Sequence, residues 1–178
     1  MSGNDGALDI TNLQANSFFA NLSEKEIREL LKAGSLETYG PGDYIVREND
    51  TSRHIYVILS GRIRIGKTLY AGDEKELTVL KPGEFFGEMG FLDEFPRSAS
   101  ASCVEDATVL RINRDTFQKM AQRRPTIAYK VTLTIARTLS DRLRTSNNML
   151  EGIFSNPNRA IVELKTRLLK IQTMLLRH

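Results

Sequence analysis

The chain has 178 residues, of which 40% are apolar and 26% are charged, a composition typical of a globular protein. It has no apolar run of about 18 residues, which argues against a membrane span. Its single cysteine argues against a disulfide framework and favours the reducing cytoplasm, and its two distant histidines argue against a metal or nucleophilic site. The net charge of +3 divides into −7 over residues 1–110 and +10 over residues 111–178, which indicates either a solvated basic helical face or a surface for an acidic partner.

The N-terminal part of the chain is predicted to contain a lead segment and a short helix. Residues 1–20 lack the basic region and the apolar core of a signal peptide, so they are expected to precede the first domain. Ser23 and Glu26 have the spacing of a capping box at a helix start. The apolar positions of that helix are Ile27, Leu30 and Leu31. Gly34 is expected to end it.

From about residue 36 to residue 113 the sequence has the texture of a β protein. Short runs rich in Val, Ile, Tyr and Thr are separated by turn residues, and no helical pattern lies between them. Examples of the turns are Pro41-Gly42-Asp43, Ser60-Gly61, Ala71-Gly72-Asp73 and Pro82-Gly83. The expected fold is a mainly β jelly-roll (β-roll) sandwich of about eight short strands, with flanking N-terminal and long C-terminal helices.

One stretch of this region, GRIRIGKT from Gly61 to Thr68, fits the P-loop pattern of nucleotide-hydrolysing enzymes. A P-loop needs a helix after the glycine-rich turn, because the helix N-terminus supplies the amide groups that hold the phosphates. The inner residues of this match alternate polar and apolar at strand spacing, and a turn and another strand pattern follow. The stretch is therefore predicted to be one arm of a β-hairpin, with Gly61 in a turn and Gly66 at a bulge.

After Asn113 the apolar period becomes helical. Asn113 or Asp115 is predicted to cap a first helix, and Pro125 suits the first turn of a second one over residues 126–148. A last amphipathic helix is predicted from Asn156 onward. Its apolar positions are Ile161, Leu164, Leu168, Ile171 and Leu175. The expected domain limits are therefore 1–20 for the lead segment, 21–150 for the β-roll with its long helix, and 151–178 for the C-terminal helix.

The stretch FFGEMGFLDEFPRSASAS, residues 85–102, combines residues that suit a ligand with a hydroxyl and an anionic oxygen. Gly87 permits close approach of the backbone, and Glu88 begins a segment long enough for one or two helical turns. Arg97 offers a fork to phosphate, and the small residues 98–100 leave their amide groups accessible. The alternative is an ordinary Glu–Arg pair on a surface turn.

The wider pattern resembles the cyclic nucleotide-binding domain, as in the bacterial catabolite activator family and the regulatory subunits of cyclic-nucleotide-dependent kinases. The resemblance is carried by PGEFFGEMGFLDEFPRSASA, residues 82–101, which is similar to the phosphate-binding cassette of that family. It extends over about residues 20–150, through PGDYIVREND and HIYVILSGRIRI upstream and ATVLRINRDTFQKMAQRRP downstream.

The resemblance implies a set of ligand-binding residues: Phe86, Gly87, Glu88, Met89, Arg97, Ser98, Ala99 and Arg142. In this set Glu88 would accept the ribose 2′-hydroxyl and Arg97 would pair with the cyclic phosphate. Backbone amides of the cassette would complete the anion site. Arg142 and Leu143 stand where activator-like proteins have a hydroxyl pair, so Arg142 either meets the purine or is a solvated helix arginine.

The ligand is expected to be cAMP or cGMP, with no metal and no other cofactor. Ser98 has a hydroxyl but no methyl group, so it decides little between the two bases, and we favour cAMP because activator-like proteins also carry serine there. Family members couple ligand binding to movement of the long helix, which often forms a homodimer. A weak heptad repeat supports such a seam at Thr132, Ala136, Leu139, Leu143, Ser146, Leu150 and Ile153.

The sequence therefore predicts a non-catalytic sensor module with an unidentified effector protein and no membrane partner. Too few residues follow residue 156 for a helix-turn-helix, so binding of nucleic acid by this chain alone is not expected. Two alternatives stay open: the sensor part of a catabolite activator-like transcription regulator without its DNA-binding domain, or a β-roll interaction module that binds no nucleotide. A P-loop or cupin-like enzyme is the least favoured interpretation.

Overall fold

Eight strands form two antiparallel sheets in the part of the chain that this computed structural model describes, residues 13–14, 16–68, 74–93, 95–155 and 161. The strands are β1 (Gly34–Tyr39), β2 (Tyr44–Val46), β3 (His54–Ser60), β4 (Ile63–Thr68), β5 (Glu74–Leu80), β6 (Phe85–Phe86), β7 (Ser100–Cys103) and β8 (Ala107–Asn113). One sheet has the order β1-β8-β3-β6 and the other β2-β7-β4-β5. The predicted β-roll is confirmed.

The interior of the β-roll is apolar and draws on both sheets. Alternate side chains of the paired strands point between the sheets, as the period of two residues in a strand requires. The buried members of this core are Val46, Tyr56, Ile58, Ile63, Leu80, Phe86, Ala101, Cys103, Ala107 and Val109. Burial raises the pKa of the Cys103 thiol to about 11, so this cysteine is a core residue rather than a reactive one.

The stretch with the P-loop pattern is a strand and not a phosphate loop. Residues Ile63–Thr68 form β4, which pairs with β5 and β7. Gly61 lies in the turn before β4 at φ +80°, where a Cβ would collide with the carbonyl oxygen of Asp106. The register of β4 against β5 shifts between Ile65 and Gly66, which confirms the predicted bulge.

The helix α1 (Glu24–Lys32) begins at the predicted capping box. The Ser23 hydroxyl accepts a hydrogen bond from the Glu26 amide at 3.4 Å, and the Glu26 carboxylate accepts one from the Ser23 amide at 2.8 Å. Gly34 does more than end this helix, because it is the first residue of β1. A Cβ there would lie 2.7 Å from the Arg111 carbonyl oxygen, so the two strands approach closely at this point.

Three further helices follow: α2 (Glu88–Leu92), α3 (Arg114–Arg123) and α4 (Pro125–Ser155). Of the two predicted caps for α3, Asn113 is the one used, and its side chain accepts from the amides of Asp115 at 2.8 Å and Thr116 at 3.4 Å. None of the helices within the described residues is both long and apolar enough to cross a bilayer.

Helix α4 is longer than predicted. It continues through Asn148 and Gly152 to Ser155 rather than ending at about residue 148. Glycine in a helix costs about 1 kcal/mol relative to alanine, and asparagine costs less, so neither residue type stops a long helix as proline does. The helix predicted from Asn156 onward lies outside the described residues except for Ile161. The domain limits 1–20, 21–150 and 151–178 stay predictions.

The chain divides into two compact units between Thr134 and Ile135, within α4. In the first unit, the start of α4 buries Ile127 and Val131, and the Lys130 ammonium donates to both carboxylate oxygens of Glu26 at 2.9 and 2.7 Å. In the second unit, several large apolar side chains of α4 are exposed. These are Leu143, Met149, Leu150 and Phe154.

Candidate functional site

The site is built on the segment from β6 to the start of β7. Phe85 and Phe86 pair with β3 and are both buried, and the Phe86 ring stacks on Tyr56 with centroids 5.0 Å apart and an interplanar angle of 7°. This stacking holds the end of β6 against the roll interior. The chain then turns at Gly87 into the five-residue helix α2.

Gly87 is required at this turn for two independent reasons. Its φ of +80° is the left-handed region that side chains rarely adopt. A Cβ at this position would also collide with Nη1 of Arg97 and lie 2.8 Å from the His54 carbonyl oxygen. The Gly87 carbonyl oxygen itself accepts a hydrogen bond from Arg97 Nη1 at 2.7 Å. The turn and the arginine therefore fit each other closely.

Arg97 is the most deeply held cation of the site, with only 4% of its surface exposed. Its Nη2 donates to the His54 carbonyl oxygen at 2.7 Å and to the Ser52 hydroxyl at 3.2 Å, and its Nε donates to the same hydroxyl at 3.3 Å. The guanidinium carbon lies 5.7 Å from the centre of the Tyr56 ring. A buried charge needs such partners to offset its lost hydration.

The charge of Arg97 persists despite its burial. Burial lowers the pKa of the guanidinium, while the nearby Tyr56, Asp50 and Glu88 raise that pKa. The guanidinium of arginine nevertheless stays protonated in proteins at neutral pH. The site therefore holds a fixed positive charge in a largely dehydrated place, where it attracts an anion more strongly than it would in water.

The main chain of Arg97 is held by the loop that precedes β3. The Asn49 amide donates to the Arg97 carbonyl oxygen at 2.9 Å, and the Arg97 amide donates to the Asp50 carbonyl oxygen at 2.8 Å. The loop has its own turn, in which the Ser52 amide donates to the Asp50 carboxylate at 2.8 Å. Asn49 takes a φ of +69° in this turn, a conformation that asparagine tolerates.

Glu88, the first residue of α2, is also buried, with 6% of its surface exposed. Its carboxylate is close enough to Arg97 to raise the pKa of that guanidinium. A solvent-exposed Glu–Arg pair on a surface turn, the alternative left open by the sequence, is therefore wrong. Two buried opposite charges in a turn suit a polar ligand that contacts both.

The remaining predicted residues fall into three groups. Met89 and Ser98 are exposed, and the Ser98 hydroxyl donates to the Met89 sulfur at 3.6 Å. Ala99, the next residue, is half-buried. Phe86 belongs to the roll core. Arg142 lies on α4 in the second unit, so its contact with a ligand stays a prediction.

Sequence reasoning missed two contributors to the site, Ser52 and His54. His54 acts through its backbone carbonyl oxygen, which any residue would provide, so no residue type could have indicated it. Burial lowers the pKa of the His54 ring, as do the charges of Arg111 and Arg97, and its Nε2 lies 3.2 Å from the side-chain amide nitrogen of Asn113. Ser52 stands in a loop of polar residues where a single serine gives no signal.

Matches to known proteins include the segment that carries the candidate site. The family model described as "Cyclic nucleotide-binding domain" matches residues 36–124, half of the chain. The cyclic AMP receptor protein of Thermus thermophilus is 33% identical over 129 residues, which cover 72% of this chain and 60% of that protein. Human cGMP-dependent protein kinase 2 is 29% identical over 109 residues, 60% of this chain and 14% of the kinase.

A solved structure agrees in fold. The crystal structure of the Thermus thermophilus catabolite activator protein superposes with a TM-score of 0.68 at 34% identity, covering 76% of this chain and 62% of that one. The chain thus spans about three fifths of the length of the bacterial relatives it matches. The matched residues 36–124 contain most of β1, all of β2 to β8 and the whole segment with Gly87, Glu88 and Arg97.

Proposed function

Because the chain belongs to the cyclic nucleotide-binding domain family, we propose that it is a non-catalytic regulatory module that binds cAMP, with cGMP as the second expected ligand. The observation that carries this proposal is the buried and fully charged Arg97 beside the buried Glu88, inside the matched region. The matched family is a binding domain, which supports a role without catalysis. A cytoplasmic location remains part of the proposal.

In this proposal each half of the ligand meets a different charge. Arg97 pairs with the cyclic phosphate, and the amides of Gly87, Glu88 and Met89 at the turn into α2 add donors for its oxygens. The Glu88 carboxylate accepts the ribose 2′-hydroxyl. Because Arg97 is already desolvated in the unliganded protein, much of the cost of burying its charge is met by the fold rather than by binding.

The preference for cAMP over cGMP is the finer part of the proposal. A relative named for cyclic AMP and a kinase named for cGMP are both similar to this chain, at 33% and 29% identity. Ser98 and Arg142 are the residues that we expect to meet the base or its surroundings. Arg142 is half-buried on α4, and an arginine there can stack on a purine or donate hydrogen bonds to it.

We further propose that the output passes through α4. The exposed Leu143, Leu150 and Phe154 lie on this helix in the second unit, and Leu143 and Leu150 are members of the predicted heptad repeat. A second copy of the chain is the occupant that we expect on this apolar face. Ligand binding would then favour one arrangement of the helix and its dimer over another, and an effector protein of unknown identity would detect the change.

A second candidate function is the sensor part of a transcription regulator. It is favoured by the similarity to the Thermus thermophilus catabolite activator protein, of which this chain covers 62%. Under this candidate the ligand site is unchanged, and only the output differs. The β-roll interaction module without a nucleotide is less favoured, because it leaves the buried Arg97 and Glu88 without a purpose.

Titration calorimetry of the chain with cAMP and with cGMP tests the proposal. We expect saturable heat with at least one nucleotide, and a lower Kd for cAMP. Linear adenosine monophosphate serves as the control, because its dianionic phosphate lacks the cyclic geometry. Absence of heat with both cyclic nucleotides, in a sample whose fold is confirmed by circular dichroism, would contradict the proposal.

A further inference from the structure

The guanidinium of Arg97 is held along two of its edges. Nη1 donates to the Gly87 carbonyl oxygen, at the turn into α2. Nε and Nη2 share the Ser52 hydroxyl as acceptor, and Nη2 also donates to the His54 carbonyl oxygen. A guanidinium has five N–H donors in one plane, so bonds on two edges fix the orientation of that plane.

These acceptors differ in kind. The carbonyl groups of Gly87 and His54 belong to the main chain and are present whatever the side chain. The Ser52 hydroxyl, in contrast, is an acceptor that a single substitution removes. It receives two of the four hydrogen bonds that Arg97 donates to these three acceptors. The orientation of the guanidinium therefore depends on the side chain at position 52, and not only on the path of the backbone.

We propose that Ser52 is a positioning residue for ligand binding: its hydroxyl sets the orientation in which Arg97 meets the cyclic phosphate. This inference rests on the proposed function of the site. Without the hydroxyl, Nε loses its acceptor, and only the bonds of Nη1 to Gly87 and of Nη2 to His54 still restrain the guanidinium. The ligand would then have to order the guanidinium at its own entropic cost, and affinity would fall.

The loop around Ser52 makes this role separable from folding. The main-chain bonds that join this loop to Arg97 come from Asn49 and Asp50, and the Ser52 amide donates to the Asp50 carboxylate. None of these bonds uses the Ser52 hydroxyl. Replacing the hydroxyl should therefore leave the loop and the arginine backbone in place while loosening the guanidinium.

The test uses Ser52→Ala, with Ser52→Thr as the conservative rescue and Ser35→Ala as the matched control. The Ser35 hydroxyl accepts from the Nε of Arg111 at 3.3 Å, the same type of contact at the same distance, away from Arg97. Calorimetric titration with cAMP is expected to give a Kd for Ser52→Ala that is about 3–10-fold weaker than wild type, the range for the net contribution of one neutral hydrogen-bond acceptor. Ser52→Thr and Ser35→Ala should stay within about twofold of wild type.

A spectroscopic readout separates positioning from a general structural role. In the unliganded protein, the Nε–H resonance of Arg97 in a proton–nitrogen correlation spectrum should shift in Ser52→Ala and stay in place in Ser35→Ala. Should Ser52→Ala not fold, Ser52→Cys replaces it, since sulfur is a weak acceptor.

The proposal is overturned by unchanged cAMP affinity in Ser52→Ala, or by a loss of affinity that Ser52→Thr does not restore. A folded wild-type chain that binds neither nucleotide would instead refute the proposed function, and this inference with it.

Discussion

The segment around Arg97 and the C-terminal half of α4 are both expected to serve the ligand response, yet the two regions are organised in opposite ways. Arg97 is 4% exposed and bonded to three acceptors of its own unit. On α4, Leu143 is 62% exposed and Phe154 is 77% exposed. The first region is thus ordered by the fold in the absence of a ligand, whereas the second exposes large apolar side chains.

This difference suits a sensor. A preformed anion site binds without a large ordering cost, so ligand binding energy remains available to change the population of another element. An apolar helix face that its own unit does not cover is an element whose arrangement can change. We therefore expect a substitution in either region to act mainly on the property of that region, which is ligand affinity for the first and self-association for the second.

The largest effect is expected for a substitution on α4, which should raise the dissociation constant of the proposed homodimer. Leu143→Glu would place a charge in the seam of the proposed dimer, where two leucines, one from each copy, would otherwise each gain about 1.5–3 kcal/mol by burial. Analytical ultracentrifugation should show the dimer dissociation constant rising at least roughly 100-fold. Asn148→Glu, exposed on the same helix but outside the heptad repeat, is the control. A monomeric wild type at high concentration would contradict this assignment.

The next effect is expected in the first region. Arg97→Ala should weaken cAMP binding by about 2–5 kcal/mol, the range for removing one partner of a buried charge pair, and should leave association unchanged. The control is Arg62→Ala, since Arg62 makes an ion pair with Glu105 at 3.0 Å on the exposed side of the roll. Calorimetry measures both variants. Equal affinities of the wild type and Arg97→Ala would remove Arg97 from the site.

Smaller effects, on the free energy of unfolding, are expected for substitutions at two glycines, one in each region. Gly87→Ala should destabilise the protein by roughly 1–3 kcal/mol, because the residue has a φ of +80° and its Cβ would collide with Arg97. Gly152→Ala in α4 meets no atom within 4 Å and should stabilise the protein by about 0.5–1 kcal/mol. Denaturant unfolding gives both values. The comparison fails if the two substitutions change stability in the same direction.

Local signals in the sequence were sufficient for much of the fold. The capping box at Ser23, the cap at Asn113 and the hairpin arm at Gly61 are all confirmed, because each depends on neighbours within a few residues. The end of α4 was predicted too early, because Asn148 and Gly152 lower helix propensity only slightly. A residue of low helix propensity ends a helix only where its free-energy cost exceeds the stability that the neighbouring helical turns supply.

The sequence indicated three neighbouring residues of the candidate site, but not the contacts that hold them in place. The cassette pattern pointed to Gly87, Glu88 and Arg97, and the structure brings these three together. The burial of Arg97 and its contacts with Ser52 and His54 could not be predicted, because these partners lie 45 and 43 residues earlier in the chain, in the loop before β3 and at the start of β3. Contacts of that kind depend on the tertiary path, which spacing within one segment does not describe.

The most direct test of the central claim is whether Arg97 itself meets the cyclic phosphate. The Nε–H resonance of Arg97, assigned by its loss in Arg97→Lys, can be followed while cAMP is added to the wild-type protein. We expect this resonance to shift with saturation at the Kd found by calorimetry, and adenosine, which lacks the phosphate, to leave it in place. An Arg97 resonance that does not move when the protein is saturated with cAMP would show that Arg97 does not bind the phosphate.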